Sequence, residues 1–382
     1  MRLNNIRIVG KDCTGCSLCS NICPHRAIHM KPDSEGFLIP YISDACTNCG
    51  LCVKYCPSTH KAGRNSCTVG YIAVTKSKKI YKKAASGGIF TTIARTFLNQ
   101  NPGALVCGAA YLDEKVQHIL INNPENLQLL QNSRYVQSDI TKVLPQIRQY
   151  LLNRKNVLFC GTPCQVAAVK AFTKKCNDKL ITLDLVCHGV PSPMFLKWDI
   201  NTYYGKVHDI VFRWKCRLYS GSTYFLLINK YPKIQSIISS NSDPYFKTFM
   251  SNSSFRESCY NCQYANLNRE GDITLGDCHI SKDYPNLRPG LAKSAVLINS
   301  KQGEDVWDMC KSEIDSDFLD IKKEAQINTQ LLHPSSRPNE RDFIYQDMMS
   351  MDAKDFRTKY GRHDHKLKNM ILSIINLLPK KF

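Results

Sequence analysis

The chain has 382 residues, 43% hydrophobic and 22% charged, a globular composition with room for a small module and one or two ordinary domains. Nineteen cysteines in a chain this long exclude a small disulfide scaffold; with no apolar core at residues 1–7 and no run of ~18–20 apolar residues, the sequence predicts a soluble cytoplasmic protein without a membrane span. The net charge of +19 comes from lysines scattered over 76–83, 170–179 and 366–381 and not from a recognition motif, which argues against nucleic acid as a partner.

Residues 1–60 carry one cysteine pattern twice: Cys13-x2-Cys16-x2-Cys19-x3-Cys23-Pro24, then Cys46-x2-Cys49-x2-Cys52-x3-Cys56-Pro57. This is the bacterial ferredoxin spacing for two [4Fe–4S] clusters, in which the fourth cysteine of each run ligates the other cluster. The ligand sets are therefore Cys13, Cys16, Cys19 and Cys56, and Cys46, Cys49, Cys52 and Cys23. Zinc ribbons pair CxxC with CxxC or His and lack the third and fourth cysteines before proline. Between the runs, 28–30 and 37–41 flank Pro32-Asp33-Ser34-Glu35-Gly36, a hairpin by turn chemistry. Residues 58–66 read as a linker.

Strand and helix then alternate: a strand at 70–74, a helix at 89–98 opened by Ser86-Gly87-Gly88, a strand at 104–111 and a helix at 143–152. A buried strand at 156–160 runs through Gly161-Thr162-Pro163 into a helix to 172, followed by a strand at 180–186. Residues 207–229 are β-rich, 273–275 and 295–298 add strands, and 370–382 read as a C-terminal helix with a frayed tail. The expected fold class is α/β, a mixed and partly parallel sheet with flanking helices, preceded by the small α+β ferredoxin-like domain.

Thr162 and Pro163 suit a helix start, and the N–H groups there and after Ser86-Gly87-Gly88 favour a bound anion. Cys164 and Cys187 follow successive buried strands, whose ends face one crevice in a parallel sheet. Cys259 and Cys262 form a CxxC that completes a four-thiolate site, or all four are ordinary buried thiols.

Six motifs in order, Ala85-Ser86-Gly87-Gly88, Ser133-Arg134-Tyr135-Val136-Gln137-Ser138, Gly161-Thr162-Pro163-Cys164-Gln165, the segment from Leu185 through Cys187-His188-Gly189 to Pro193, Ser258-Cys259-Tyr260-Asn261-Cys262 and Asp272-Ile273-Thr274-Leu275-Gly276-Asp277, resemble the coenzyme F420 hydrogenase/dehydrogenase beta-subunit family. The resemblance implies FAD, a third [4Fe–4S] cluster held by Cys164, Cys187, Cys259 and Cys262, and a flavin site at Ser86, Gly87, Gly88, Arg134, Gly161 and Thr162. Arg134 stands where the family usually has lysine, and Cys278 and His279 stand where it has an aromatic pair ending in tryptophan. Cys160 and Cys278 compete as cluster ligands without a motif that demands them. The domains implied are 1–60 for two clusters, 68–150 for the flavin side, 151–330 for the third cluster and 331–382 as a helical tail.

The functional expectation is an iron–sulfur flavoprotein oxidoreductase relaying electrons from the clusters to FAD and on to a two-electron acceptor, F420-like or another small molecule, or the reverse. His188 and Tyr135 are the candidate proton donors, and Asp277 orients the flavin or binds substrate. The alternative is a non-catalytic electron-transfer subunit docking onto a larger oxidoreductase. The positive charge fits steering of an acidic redox partner such as a ferredoxin, or general solubility.

Overall fold

A computed structural model describes residues 4–59, 65–215, 224–230 and 234–361. In the N-terminal module the short helices Leu18–Ile22 and Leu51–Lys54 lie within the two cysteine runs and carry Cys19 and Cys52. The antiparallel hairpin of β1 (Ile28–Pro32) and β2 (Leu38–Ile42) lies between the runs, as the turn chemistry predicts. Asp33 closes it by accepting the N–H groups of Glu35 and Phe37 at 3.0 and 2.9 Å.

The body begins with β3 (Asn65–Ser66) and β4 (Val69–Thr75), followed by β5 (Leu105–Leu112) and β6 (Lys115–Ile121). Next come β7 (Val157–Gly161), β8 (Leu180–Leu185), β9 (Val207–Val211), β10 (Phe225–Lys230) and β11 (Ile234–Ser239). The last are β12 (Asn268–Arg269), β13 (Ile273–Asp277), β14 (Ser294–Ile298) and β15 (Ile314–Phe318). Eight of these make one sheet in the order β15-β4-β14-β13-β8-β7-β5-β6. Its centre, β13-β8-β7-β5, is parallel, and both flanks are antiparallel, so the sheet is mixed as expected. The parallel strands are near-continuous apolar runs because helices cover both faces, among them Ile89–Gln100, Val143–Leu152 and Pro163–Thr173. β9, β10 and β11 form a separate antiparallel sheet that begins in the β-rich stretch and continues past it, β11 lying beyond 229.

β6 has no counterpart in the sequence reading. It follows β5 through Asp113 and Glu114, both in the left-handed region (φ 51° and 59°) without the Gly or Asn that marks a two-residue turn. The C-terminal helix expected over 370–382 lies outside the described residues. Within 331–361, the helices Ile344–Ser350 and Ala353–Tyr360 pack Tyr345 and Phe356 into an aromatic core with Phe37, Phe195 and Tyr245. That core reaches into the module through Phe37, and Leu18 is likewise buried against Leu144 and Val166 of the body. A fork from Arg341 to the Glu35 carboxylate adds a charged tie between module and tail. Among the described residues no helix is long and apolar enough to cross a membrane.

Candidate functional site

In the module, Cys13, Cys16, Cys19 and Cys56 line one small cavity, the first set expected from the spacing. Cys23, Cys46 and Cys52 pack in the same apolar cluster, with Cys49 the electrostatic neighbour of Cys52. Cys19 and Cys52 also lie within each other's field, so the two sets adjoin. Backbone N–H groups of Gly15 and Ala27 donate to the sulfurs of Cys13 and Cys23, each at 3.4 Å.

In the body, the parallel strands deliver the second group. β7 ends at Gly161, and Thr162 caps the next helix in a capping box with Gln165, whose Oε1 accepts the Thr162 N–H at 3.0 Å. This fixes Cys164 in the first turn, 3.1 Å from the Thr162 hydroxyl. β8 carries the chain to Cys187. Cys259 sits in the short helix Glu257–Tyr260, with Cys262 just beyond. The buried ion pair of Arg269 with Asp184 ties the segment after Cys262 back to β8 at 3.2 Å. Cys164, Cys187, Cys259 and Cys262 all line one cavity of about 470 Å³ and lie in one another's fields.

Burial and then mutual repulsion push Cys164 and Cys259 up to about 12, and Cys187 well above its ordinary value. Thiols that resist ionisation in this way would become stable thiolates beside a cationic centre that neutralises them. Among the described residues no three metal-binding side chains converge on a single ion. A [4Fe–4S] cluster takes one thiolate per iron corner and so needs its ligands spread. Cys16 is in turn an electrostatic neighbour of Cys164, so the module and the cavity meet at their cysteines.

The competing cysteines are placed elsewhere. Cys160 lies within β7, with Asp184 and Cys107 as its electrostatic neighbours, although it touches the cavity wall. Cys278 packs in another apolar cluster, its sulfur 3.7 Å from Glu324.

The same cavity is lined by Ser86, Gly88, Gly161, Thr162, Arg134, Tyr135, His188 and Asp277. Gly88 has φ +85° and caps the helix Ile89–Gln100 without a side-chain bond, which leaves first-turn N–H groups open to an anion. Gly87 does not line the cavity. It lets the turn approach β4 and β14, donating its N–H to Ser294 Oγ at 3.0 Å. Arg134 turns its guanidinium to Ile210 O at 3.0 Å, and its buried Nε has no partner. Arg213, which the sequence reading passed over, also lines this wall; it forms an ion pair with Asp277 and reaches the Tyr135 hydroxyl at 3.4 Å. Tyr135 stacks on Phe249 with ring centres 4.3 Å apart. Burial and the nearby His279 hold His188 below its ordinary value. His279, also at the wall, is raised by its bond to Glu324.

Residues 154–324 match the model for the C terminus of the coenzyme F420 hydrogenase/dehydrogenase beta subunit, and residues 12–60 match a 4Fe-4S dicluster domain. No curated protein matches the chain. Among solved structures, a chain of the F420-reducing [NiFe] hydrogenase complex from Methanosarcina barkeri is similar at 18% identity, with 75% of this chain and 94% of that chain covered and a TM-score of 0.48. The chain thus carries a domain matching the C terminus of the coenzyme F420 hydrogenase/dehydrogenase beta subunit over 154–324, preceded by a 4Fe-4S dicluster domain.

Proposed function

We propose that the chain is a cytoplasmic iron–sulfur flavoprotein oxidoreductase with three [4Fe–4S] clusters and one FAD. The observation that carries this reading is the shared cavity: four cysteines from distant segments and the two helix starts at Gly88 and Thr162 line one space, with Cys16 of the dicluster module beside Cys164. Its volume of about 470 Å³ lies in the range of cofactor sites. Ser86, Gly88, Gly161 and Thr162 would hold the FAD, with the open first-turn N–H groups after Gly88 toward its phosphates. FAD bound there would supply the conversion between single electrons and hydride.

The chain's own residues provide the rest. Arg213 and Asp277 fix a charged pair at the wall. Tyr135 is kept protonated by burial, and its hydroxyl is a proton source at the cavity beside His188. Electrons pass between the module and the cavity in either direction, and a small molecule is the two-electron partner. The one-electron partner is a ferredoxin-like protein or another oxidoreductase subunit; the family's description as a beta subunit favours the latter.

Anaerobic purification with iron, sulfide and flavin measured together tests this. About twelve iron atoms and one FAD per chain are expected. Cys187→Ser should remove about four of those irons and leave the module clusters intact. Four irons or fewer in the fully reconstituted wild type, or a preparation without flavin, would exclude the proposal.

A further inference from the structure

The two groups of cysteines meet across one side chain. Arg256 lies three residues before Cys259. Its N–H donates to Val190 O at 3.0 Å, in the loop that follows Cys187, and its carbonyl accepts the Cys259 N–H at 2.9 Å. Its guanidinium crosses to the module, where Nε donates to Cys13 O at 2.6 Å and Nη2 to Leu38 O at 3.0 Å. Nη1 donates to Gln137 Oε1 at 3.1 Å. Gln137 completes the strut: its Nε2 donates to Thr14 O at 3.1 Å and its backbone N–H to Pro191 O, also at 3.1 Å. Both side chains are buried, at 5% and 6% exposure.

A planar guanidinium with an acceptor at each nitrogen admits one geometry, and any shift strands a buried donor. Lysine cannot reproduce that fork. The strut links the peptide after Cys13 to both segments that carry Cys187 and Cys259. The charge of Arg256 also lies in the field of Cys164 and Cys259.

We infer that Arg256 is the positioning residue of the electron path, fixing the separation between the cluster site of Cys13, Cys16, Cys19 and Cys56 and the site of Cys164, Cys187, Cys259 and Cys262. This rests on the reading above that both sites hold [4Fe–4S] clusters. The step it governs moves one electron: the cluster at one site is oxidised, the cluster at the other is reduced, and no proton or bond changes place. The rate of such a hop falls steeply with separation, so a strut that sets the separation sets the rate.

The test uses the full-length, anaerobically reconstituted protein as wild type, Arg256→Gln and Arg256→Lys. Iron content, low-temperature electron paramagnetic resonance of the dithionite-reduced state, and rapid-mixing reduction are measured on each. The third-site signal is the one that Cys187→Ser removes. Arg256→Gln should keep its iron, lose the spin–spin splitting between the two sites and slow third-site reduction at least tenfold. Arg256→Lys should fall between. If Arg256→Gln fails to hold iron, Gln137→Met, which cuts the tie to Thr14 and one Arg256 bond, should weaken the splitting and slow the hop about threefold. Splitting and rate within twofold of wild type in an iron-replete variant would overturn the inference alone. A wild type with no Cys187-dependent signal would overturn the cluster reading and the inference with it.

Discussion

Glu324, fully buried, holds His279 at the cavity wall with Nδ1 donating to Oε1 over 3.0 Å, and the same carboxylate accepts the backbone N–H groups of His279 and Ile280. The bond to Glu324 raises His279 above its ordinary 6.5 against the opposing effect of burial. Burial alone would raise Glu324, but the His279 ring and the backbone donors hold it below its ordinary 4.5. The raised histidine stabilises the fold fully below pH 6.5 and loses that contribution as pH rises through its folded value. The lowered carboxylate contributes above pH 4.5 and loses its contribution as pH falls through its own folded value. The pair is therefore most stabilising between the two. Glu324→Gln should cost most stability near pH 6, and the difference from wild type should shrink toward pH 9. Thermal melts of both proteins across that range would show it, and a pH-independent difference would refute the coupling.

The two cluster sites of the module differ in shelter. Cys49 is exposed and Cys46 and Cys23 are half-buried, whereas Cys19 and Cys56 are buried. On the ligand sets proposed, the cluster on Cys46, Cys49, Cys52 and Cys23 should therefore be the first lost to oxygen or a chelator. Iron release followed with a chromogenic chelator is expected to show a fast phase of about four atoms before the rest. Release in a single phase would contradict that ordering.

The module was legible because ligand spacing is a local property of the chain: three cysteines on one short turn and a fourth before proline need no tertiary information. The parallel strands were legible as apolar runs, and with them the convergence of Cys164 and Cys187 at their ends. Side-chain direction was not. Arg134 and Arg213 are both arginines near the cavity, yet one donates through Nη1 to the Ile210 carbonyl and the other meets Asp277. The choice between them is made by where β9 lies, and no pattern within either motif encodes that. Gly87 misled for a related reason, since close backbone approach to β14 and close approach to a ligand demand the same residue.

Gly15 is one point where the module approaches the body closely. Its φ is +66°, and a Cβ there would collide with the Gln137 amide and lie 2.8 Å from Leu38 O and 2.9 Å from Arg256 Nη1. Gly15→Ala should therefore cost more than ~1 kcal/mol, through backbone strain and displacement of the strut. The module is expected to become more susceptible to proteolysis while its own two clusters assemble. Wild-type protease resistance and stability in this variant would show that the junction tolerates a shift.

Asp184 and Arg269 form the buried ion pair that anchors the segment after Cys262. Every acceptor of Asp184 is engaged: Oδ1 takes Arg269 Nη2 at 3.2 Å and the Thr274 hydroxyl at 2.5 Å, while Oδ2 takes the N–H groups of Glu270 and Gly271 at 3.1 and 3.0 Å. Arg269 also donates to the carbonyls of Tyr264, Asn266 and Leu185, so its charge cannot leave without unmaking the loop. Removing one partner of such a pair leaves the other charge buried and unpaired, at about 3–5 kcal/mol. Asp184→Ala should therefore lower the denaturation midpoint strongly. On the proposed ligand set it should also release the third-site iron preferentially, because the loop it frees holds Cys259 and Cys262. Denaturant unfolding monitored together with iron content separates the two effects. A cost below ~1 kcal/mol would mean that water reaches Arg269 once the carboxylate is gone.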